Sequence, residues 1–450
     1  MSSVLNGFTQ GSVSKVLLRT AVPIVFLTSV NGLLTVVDAI LLGVFVGPSA
    51  LAAVTLMFPA SMLLIALSIM VSSGMASIVA RQLGGGRIKD ARSTFAGAHG
   101  LSLLICVVLA GAFVVVGSPL TSVMSVDATL AGMGHQFLAI SVFTTPIMFL
   151  VSLHSDALRV EGEIGFMAMA GLVVTLGNIV SNVVLIAGMG LGVAGSAWGT
   201  ALAQTVALGL MLVFRIRGKG KLAVPTPRIE FLKGWMEILT LGAPRSLSFL
   251  GIALGAAATL ASVRLHVTAD QDQTVAAYGA VTRMMTFAYL PLLGLSMAMQ
   301  AVVGNNYGAG LRDRSDQALK QTIGAALCYG IAIEIILLLF KDSIGGLFVA
   351  DPGVVAEVGR ILPFYTALYF TMGPIMMIAS YLQSIGDAKR SAFLSLARTY
   401  LYAVPLAFAL PALFGEAGIW LALPLADLLL VITTAIVLRG RSAMASPAAA

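Results

Sequence analysis

The sequence predicts an all-α polytopic membrane protein: twelve transmembrane helices in two six-helix bundles related by a pseudo-twofold axis along the membrane normal. Three observations predict it: a composition too apolar for water, apolar runs of bilayer-spanning length from end to end, and an internal repeat whose loops match in order. Of 450 residues, 58% are hydrophobic and only 10% charged, whereas a soluble domain carries about 25% charged residues. Even a large soluble core needs a polar exterior, and successive runs of roughly 20 apolar residues cannot supply one.

Punctuation by Gly, Pro and charge places helices near 16–45, 50–80, 94–116, 135–157, 165–188 and 193–214. A second set follows near 236–263, 275–304, 318–340, 360–383, 391–413 and 417–438. A basic linker, residues 215–233, joins the sets, so the two lobes are expected at 1–222 and 223–450. Residues 1–14 are polar, and the apolar run after them is too long for a signal peptide, which makes it a permanent helix. Several runs exceed the bilayer's thickness, an excess that tilt or a kink absorbs.

Orientation follows from Lys and Arg, which are retained on the cytoplasmic side. An inside N-terminus gathers Lys15, Arg19, Arg81, Arg87, Lys89, Arg92, Arg159, the linker, Arg312, Arg314, Lys320, Lys389, Arg390, Arg439 and Arg441 on one side. The other side holds mainly Asp127, Asp270, Asp272, Asp342, Asp351, Glu357 and Glu416, with Arg264, Lys341 and Arg360 as exceptions. Both termini are therefore expected in the cytoplasm, with the chain in a plasma membrane of the bacterial inner-membrane kind.

The repeat begins with Ala21-Val22-Pro23 against Gly242-Ala243-Pro244. It continues with Arg81-Gln82-Leu83-Gly84-Gly85-Gly86 against Asn305-Asn306-Tyr307-Gly308-Ala309-Gly310, and Gly192-Val193-Ala194-Gly195 against Gly415-Glu416-Ala417-Gly418. Six helices return the chain to its starting side, so the halves are expected to run parallel, the arrangement of transporters with a central cleft.

Asp38 is the only acidic residue of the first helix, well past Pro23. A carboxylate inside the apolar zone is costly, and desolvation favours its protonated form, so it can exchange a proton or hold a cation. The alternative is a carboxylate near the far interface that is merely hydrogen-bonded. Asn178 and Asn182, four residues apart, share one helix face, and Thr200 on the next helix adds a hydroxyl. The amide oxygens suit a Na⁺-like ion, and the same amides suit a protonated Asp38; polar glue between helices is the structural alternative.

The second half carries Arg245, Arg283, Glu334, Arg398 and Asp427 in its apolar runs. They neutralise one another as ion pairs, or leave an Arg lining a cleft for an anionic group. Met148, Met284, Met285, Met372 and Met376, with Tyr365 and Tyr369, either line a promiscuous apolar pocket or fill gaps in the packing.

Several function classes are excluded. The net charge of +7 is spread over short loops, not gathered on one face with aromatic platforms, so no nucleic-acid partner is expected. Cys106 and Cys328 lie in apolar runs and read as buried thiols, not a disulfide or metal framework. Gly190, Gly192 and Gly195 spell G-x-G-x-x-G without a strand before them and are read as a turn. With no Walker loop, zinc spacing or catalytic dyad, neither an enzyme nor a resident cofactor is expected.

Pro23 with Asp38, the Gly84–Gly86 and Gly308–Gly310 loops, Arg159-x-x-Gly162, Asn178-x-x-x-Asn182 and Gly195-Ser196-Ala197-Trp198-Gly199-Thr200 together resemble the multidrug and toxic compound extrusion (MATE) family over nearly the whole chain. The resemblance implies twelve helices in two lobes and export of small organic compounds driven by H⁺ or Na⁺. It implies a coupling site of Asp38, Asn178, Asn182 and Thr200, with Pro23 letting the first helix bend. Some relatives have Asp where Asn182 stands, which favours H⁺ over Na⁺ here. Others carry a Glu and an Asp as a second-lobe cation site, where this chain has Arg245 and no carboxylate. The expected partners are a small organic substrate and membrane lipid, with the chain acting as a monomer; a lipid-linked glycan flippase of the same broad fold group is the alternative.

Overall fold

The computed structural model describes residues 7–125, 127–224, 229–267, 270–347 and 351–444; among them every regular element is helical. The chain divides into two compact units. The first holds the chain up to Ser246 together with Gln300–Ser315 and Ser384–Gly386, and the second holds Leu247–Met299, Asp316–Gln383 and the chain from Asp387. Ten of the described helices are long and apolar enough to cross a membrane, or up to twelve if each of two bent pairs is one span.

The first unit contains α1 (Val13–Phe45), α2 (Pro48–Leu56), α3 (Phe58–Gly84), α4 (Ile88–Met124), α5 (Ala128–Phe143), α6 (Thr145–Glu161), α7 (Ile164–Asn182), α8 (Gly192–Ile216) and the start of α9 (Trp235–His266). The expected single helix over 135–157 is a bent pair, α5 and α6 meeting at 48°. Pro146 stands in the first turn of α6 and has no N–H to continue the ladder. The Thr145 hydroxyl donates to the carbonyl of Val142 at 2.6 Å, in place of the N–H that Pro146, four residues on, lacks. The run expected over 50–80 is likewise divided, at Met57 between α2 and α3.

The repeat is structural. At the crossing of α3 with the end of α10 (Gln271–Gly308), a Cβ on Gly84 would lie 2.0 Å from the Asn305 carbonyl oxygen, and one on Gly308 would lie 2.0 Å from that of Arg81. Arg81 donates to the Ser384 carbonyl and Asn305 to the Val160 carbonyl, each at 3.1 Å. Since the repeat aligns Arg81 with Asn305 and Gly84 with Gly308, each contact is the other with the partners exchanged, the signature of a twofold relation. Glycine is obligatory here because the two backbones touch. Gly162 and Gly386 carry the pattern on, each ending a helical run at a φ of 96° and 93°.

Arg215, expected in a cytoplasmic loop, is buried at the end of α8. Its guanidinium donates to Glu161 Oε1 at 2.7 Å and to His154 Nδ1 at 2.8 Å. Glu161 Oε2 accepts the backbone N–H groups of Lys221 and Leu222 at 2.6 and 3.2 Å, which ties the linker to the bundle. With Arg215 donating to Nδ1, neutral His154 carries its proton on Nε2, facing His99 Nε2 at 3.3 Å; His99 then donates from Nδ1 to the Phe95 carbonyl at 2.7 Å.

The second unit contains the rest of α9 and most of α10, α11 (Arg312–Leu339), α12 (Lys341–Ile344), α13 (Pro352–Thr366), α14 (Tyr369–Ile385), α15 (Ala388–Leu396), α16 (Val404–Phe414) and α17 (Glu416–Met444). Val263, Tyr278, Val281, Met284, Val358, Ile361, Leu362 and Trp420 form its main buried cluster. The second bent pair, α13 and α14 at 44°, breaks at Ala367 and at Leu368, whose φ of 67° is left-handed. Cys328 is exposed, not buried as expected; Cys106 is buried. Cys328 shares α11 with the exposed Ile331, Ile335 and Ile336, a surface where lipid takes the place of protein packing. Arg360, one of the exceptions to the charge bias, is paired with both Glu357 and Glu416, which neutralises it locally.

Candidate functional site

The site in the first unit is built by parallel packing of α1 and α7. A Cβ on Gly171 would lie 2.5 Å from Leu27 Cδ2, so the Leu27 side chain packs directly over this glycine. From that contact two hydrogen bonds follow at the same separation of 144 residues: Thr175 Oγ1 to Asn31 Oδ1 at 2.6 Å, and Asn182 Nδ2 to Asp38 Oδ1 at 2.8 Å. A constant offset means that the helices run in the same direction and in register. On α7 the participants Gly171, Thr175, Asn178 and Asn182 recur at spacings of four, three and four, one continuous face.

All four residues expected to form the site are connected. Asn182 Nδ2 donates to Asp38 and, at 3.0 Å, to Asn178 Oδ1; Asn178 Nδ2 donates to Thr200 Oγ1 at 2.7 Å; Thr200 Oγ1 donates to the Ser196 carbonyl at 3.1 Å. Asn178 and Asn182 are buried, while Asp38 is half-buried. Among the described residues Asp38 has no Lys or Arg partner, and its Oδ2 receives no hydrogen bond. Asn182 Oδ1 is buried without a hydrogen-bond partner, pressed against Gly199, where a Cβ would lie 1.9 Å from it. Immediately after Asn182 the helix loosens into a π turn, Val183–Gly188, a distortion frequent at functional sites. Pro23 lies inside α1 one turn before Leu27, so bending there swings the stretch that carries Asn31 and Asp38.

Three contributors were not anticipated: Asn31 and Thr175, which form the second rung, and Ser196, which ends the chain of donors. The spacing of Gly171, Thr175, Asn178 and Asn182 is the sequence signal that carries Thr175. Asn31 falls one residue before Gly32 in an otherwise apolar run and matches no motif.

The second unit's charges divide. Arg398 and Asp427 form an ion pair with Nε–Oδ1 at 2.6 Å and Nη2–Oδ2 at 3.1 Å; Arg398 lies in a second π turn, Ala397–Ala403. Among the described residues Glu334 is not in an ion pair: its Oε2 accepts the backbone N–H of Phe370 at 3.2 Å, capping α14 where the broken span restarts. Arg283 is exposed on α10. Arg245, grouped with these charges in the sequence, lies on the part of α9 within the first unit and is half-buried. Met148 packs on the Met57, Leu64, Leu138 and Val142 cluster; Met284 lies in the main cluster of the second unit, with Met285 and Tyr365 against it. Tyr369 is buried, while Met372 and Met376 are half-buried.

Ten to twelve spanning helices, two of them bent, with a carboxylate held by the Asn182 amide and, among the described residues, no basic partner, define a polytopic membrane transporter. The MatE family model matches residues 23–184 and again 249–409, once in each half of the repeat. The chain belongs to the MATE family of transporters, which are not enzymes. The FAD transporter of Shewanella oneidensis is 25% identical over 436 residues, 94% of each chain. The probable multidrug resistance protein YoeA of Bacillus subtilis is 24% identical, covering 90% of this chain and 89% of its own. The multidrug export protein MepA of Staphylococcus haemolyticus is 23% identical, covering 93% and 92%. A crystal structure of MATE in complex with MaL6 superimposes with a TM-score of 0.88 at 23% identity, covering 96% of this chain and 97% of that one. An outward-facing multidrug resistance MATE family transporter of the MOP superfamily gives 0.88 at 24% identity, covering 98% of both. The fold is thus the MATE fold, with twelve helices in two six-helix lobes.

Proposed function

We propose that this protein is a secondary antiporter that exports small organic compounds in exchange for H⁺, with Asp38 as the coupling carboxylate. The observation that carries the reading is the Asp38–Asn182–Asn178–Thr200 chain, in which the carboxylate, among the described residues, lacks a basic partner and keeps one oxygen open. Family antiporters use H⁺ or Na⁺ gradients. The amide of Asn182 turns its N–H, not its oxygen, toward Asp38, and a Na⁺ site needs several oxygens converging on one point; a proton needs only the open carboxylate oxygen. Two relatives are named for multidrug resistance or export and one as an FAD transporter, which supports a small organic cargo.

In this mechanism protonation removes the charge that Asn182 stabilises, so α1 binds α7 differently in the two states, and Pro23 gives α1 a point at which to bend. A bound ion shifts the equilibrium only through such a difference between states. The positive-inside distribution supports an orientation with both termini in the cytoplasm. Proteoliposome flux under an imposed pH gradient, compared with an imposed Na⁺ gradient, tests the assignment. The pH gradient is expected to drive export and Asp38→Asn to abolish it while the protein stays folded; wild-type flux from that variant would remove Asp38 from the mechanism.

A further inference from the structure

We propose that α10 in the second unit presents an oxyanion-binding face centred on Arg283, and that the exported compounds include organic anions bearing a phosphate or carboxylate that this guanidinium holds. The inference rests on the export reading and specifies its cargo. Arg283 lies twelve residues into α10, about 18 Å along it, between Val281 and Met284 in the span. It is exposed, and among the described residues it makes no hydrogen bond or ion pair. The unit's other membrane charges are occupied: Arg398 by Asp427, and Glu334 by the Phe370 N–H.

The exposed face of α10 is not a lipid surface. Ala276, Gly279, Arg283 and Thr286 are its exposed residues through this stretch, and their spacing of three, four and three makes one stripe. No large hydrophobic residue is exposed anywhere on α10, whereas α11 exposes Ile331, Ile335, Ile336 and Leu338. An arginine facing hydrocarbon would be strongly disfavoured, and intramembrane charges face water-filled space. A planar, permanently charged fork flanked by small residues leaves room for an oxyanion and matches its geometry with paired N–H donors. Low-dielectric walls beside water-filled space focus that attraction.

The test uses two fluorophores that share an isoalloxazine ring and differ by one phosphate, flavin mononucleotide and riboflavin, titrated into purified protein in nanodiscs. The wild-type protein is expected to bind the mononucleotide about tenfold more tightly, the factor that a charge-assisted hydrogen bond supplies. Arg283→Gln is expected to erase that margin with riboflavin binding unchanged, and Arg283→Lys to keep part of it. Raising ionic strength on the wild-type protein should shrink the margin as well, a readout independent of any substitution. Equal affinity of the wild-type protein for the two flavins, no binding of the mononucleotide, a salt-insensitive margin, or an undiminished margin in Arg283→Gln would each overturn the proposal. Equilibrium binding needs no ion gradient, so this outcome is separable from failure of proton-driven export.

Discussion

Gly199 sits where the proposed coupling site has no spare room. A Cβ there would lie 1.9 Å from Asn182 Oδ1, 3.0 Å from its Cγ and 3.2 Å from its backbone nitrogen. Carbon and oxygen in contact stand about 3.3 Å apart, so in Gly199→Ala the amide must move by more than an ångström. It cannot do so and keep both of its N–H bonds, at 2.8 Å to Asp38 and 3.0 Å to Asn178. A neutral hydrogen bond contributes about 1 kcal/mol and one to a charged group about 1.5–3 kcal/mol, so the expected loss is about 2.5–4 kcal/mol. Thermal unfolding in nanodiscs should report that destabilisation, and proteoliposome flux under a pH gradient should fall at least tenfold. Asn182→Ala forfeits the same two bonds, so adding it to Gly199→Ala should cost little further stability, and flux should stay low. A Gly199→Ala protein that melts and transports like wild type would refute the claim that Asn182 must stay where it is.

Three other perturbations separate structural charges from functional ones. Arg215→Ala leaves the Glu161 carboxylate buried without its partner, and is expected to cost about 3–5 kcal/mol; unfolding midpoints should show part of that recovered when Glu161→Gln is added. Arg398→Met and Asp427→Leu should each destabilise alone and together come close to neutral, the behaviour of a buried pair in a double-mutant cycle. Glu334→Ala removes the acceptor from the Phe370 N–H and is expected to lower stability by about 1–2 kcal/mol, with Glu334→Gln losing less because a neutral acceptor remains; equal losses would mean that the capping bond is not what stabilises this position.

What could be read from residues alone is whatever depends on one helix at a time. Apolar length gave the spans, and the four-residue spacing of Asn178 and Asn182 put them on one face before any neighbour was known. Asp38 could be singled out because a lone carboxylate in an apolar run has few inexpensive explanations. The bends between α5 and α6 and between α13 and α14 escaped, because Pro146 alone does not say whether a helix kinks or breaks, and nothing local marks Leu368 as left-handed. Glu334 was grouped with the arginines because charge balance is visible in sequence, whereas an exposed N–H in a broken helix appears only once the break does. Arg215 was placed in a loop because basic residues near a span's end usually snorkel to water; its burial depends on Glu161 and His154, 54 and 61 residues away.

The repeat also explains why the two halves need not do the same work. Carrying its register from Pro23 and Pro244 sets Asp38 opposite Thr259; from Gly162 and Gly386 it sets Asn178 and Asn182 opposite Tyr402 and Leu406; from Gly195 and Gly418 it sets Thr200 opposite Leu423. In the other direction, Arg283 falls opposite Pro59, Glu334 opposite Ala110, Arg398 opposite Val174 and Asp427 opposite Gln204. Backbone features that need glycine are retained in both copies, at Gly84 and Gly308 and at Gly162 and Gly386. The charged side chains and the asparagines inside the spans are not. Duplicated close packing fixes the helix crossings, and each copy is then free to hold its own charges, since an intramembrane carboxylate or guanidinium is tolerated only where local partners or water meet its cost. With a carboxylate answered by the Asn182 amide in one copy and an exposed guanidinium in the other, the proposed ion coupling and cargo recognition fall on different helices, so Asp38→Asn should alter the response to pH without changing discrimination between flavins, and Arg283→Gln should do the reverse.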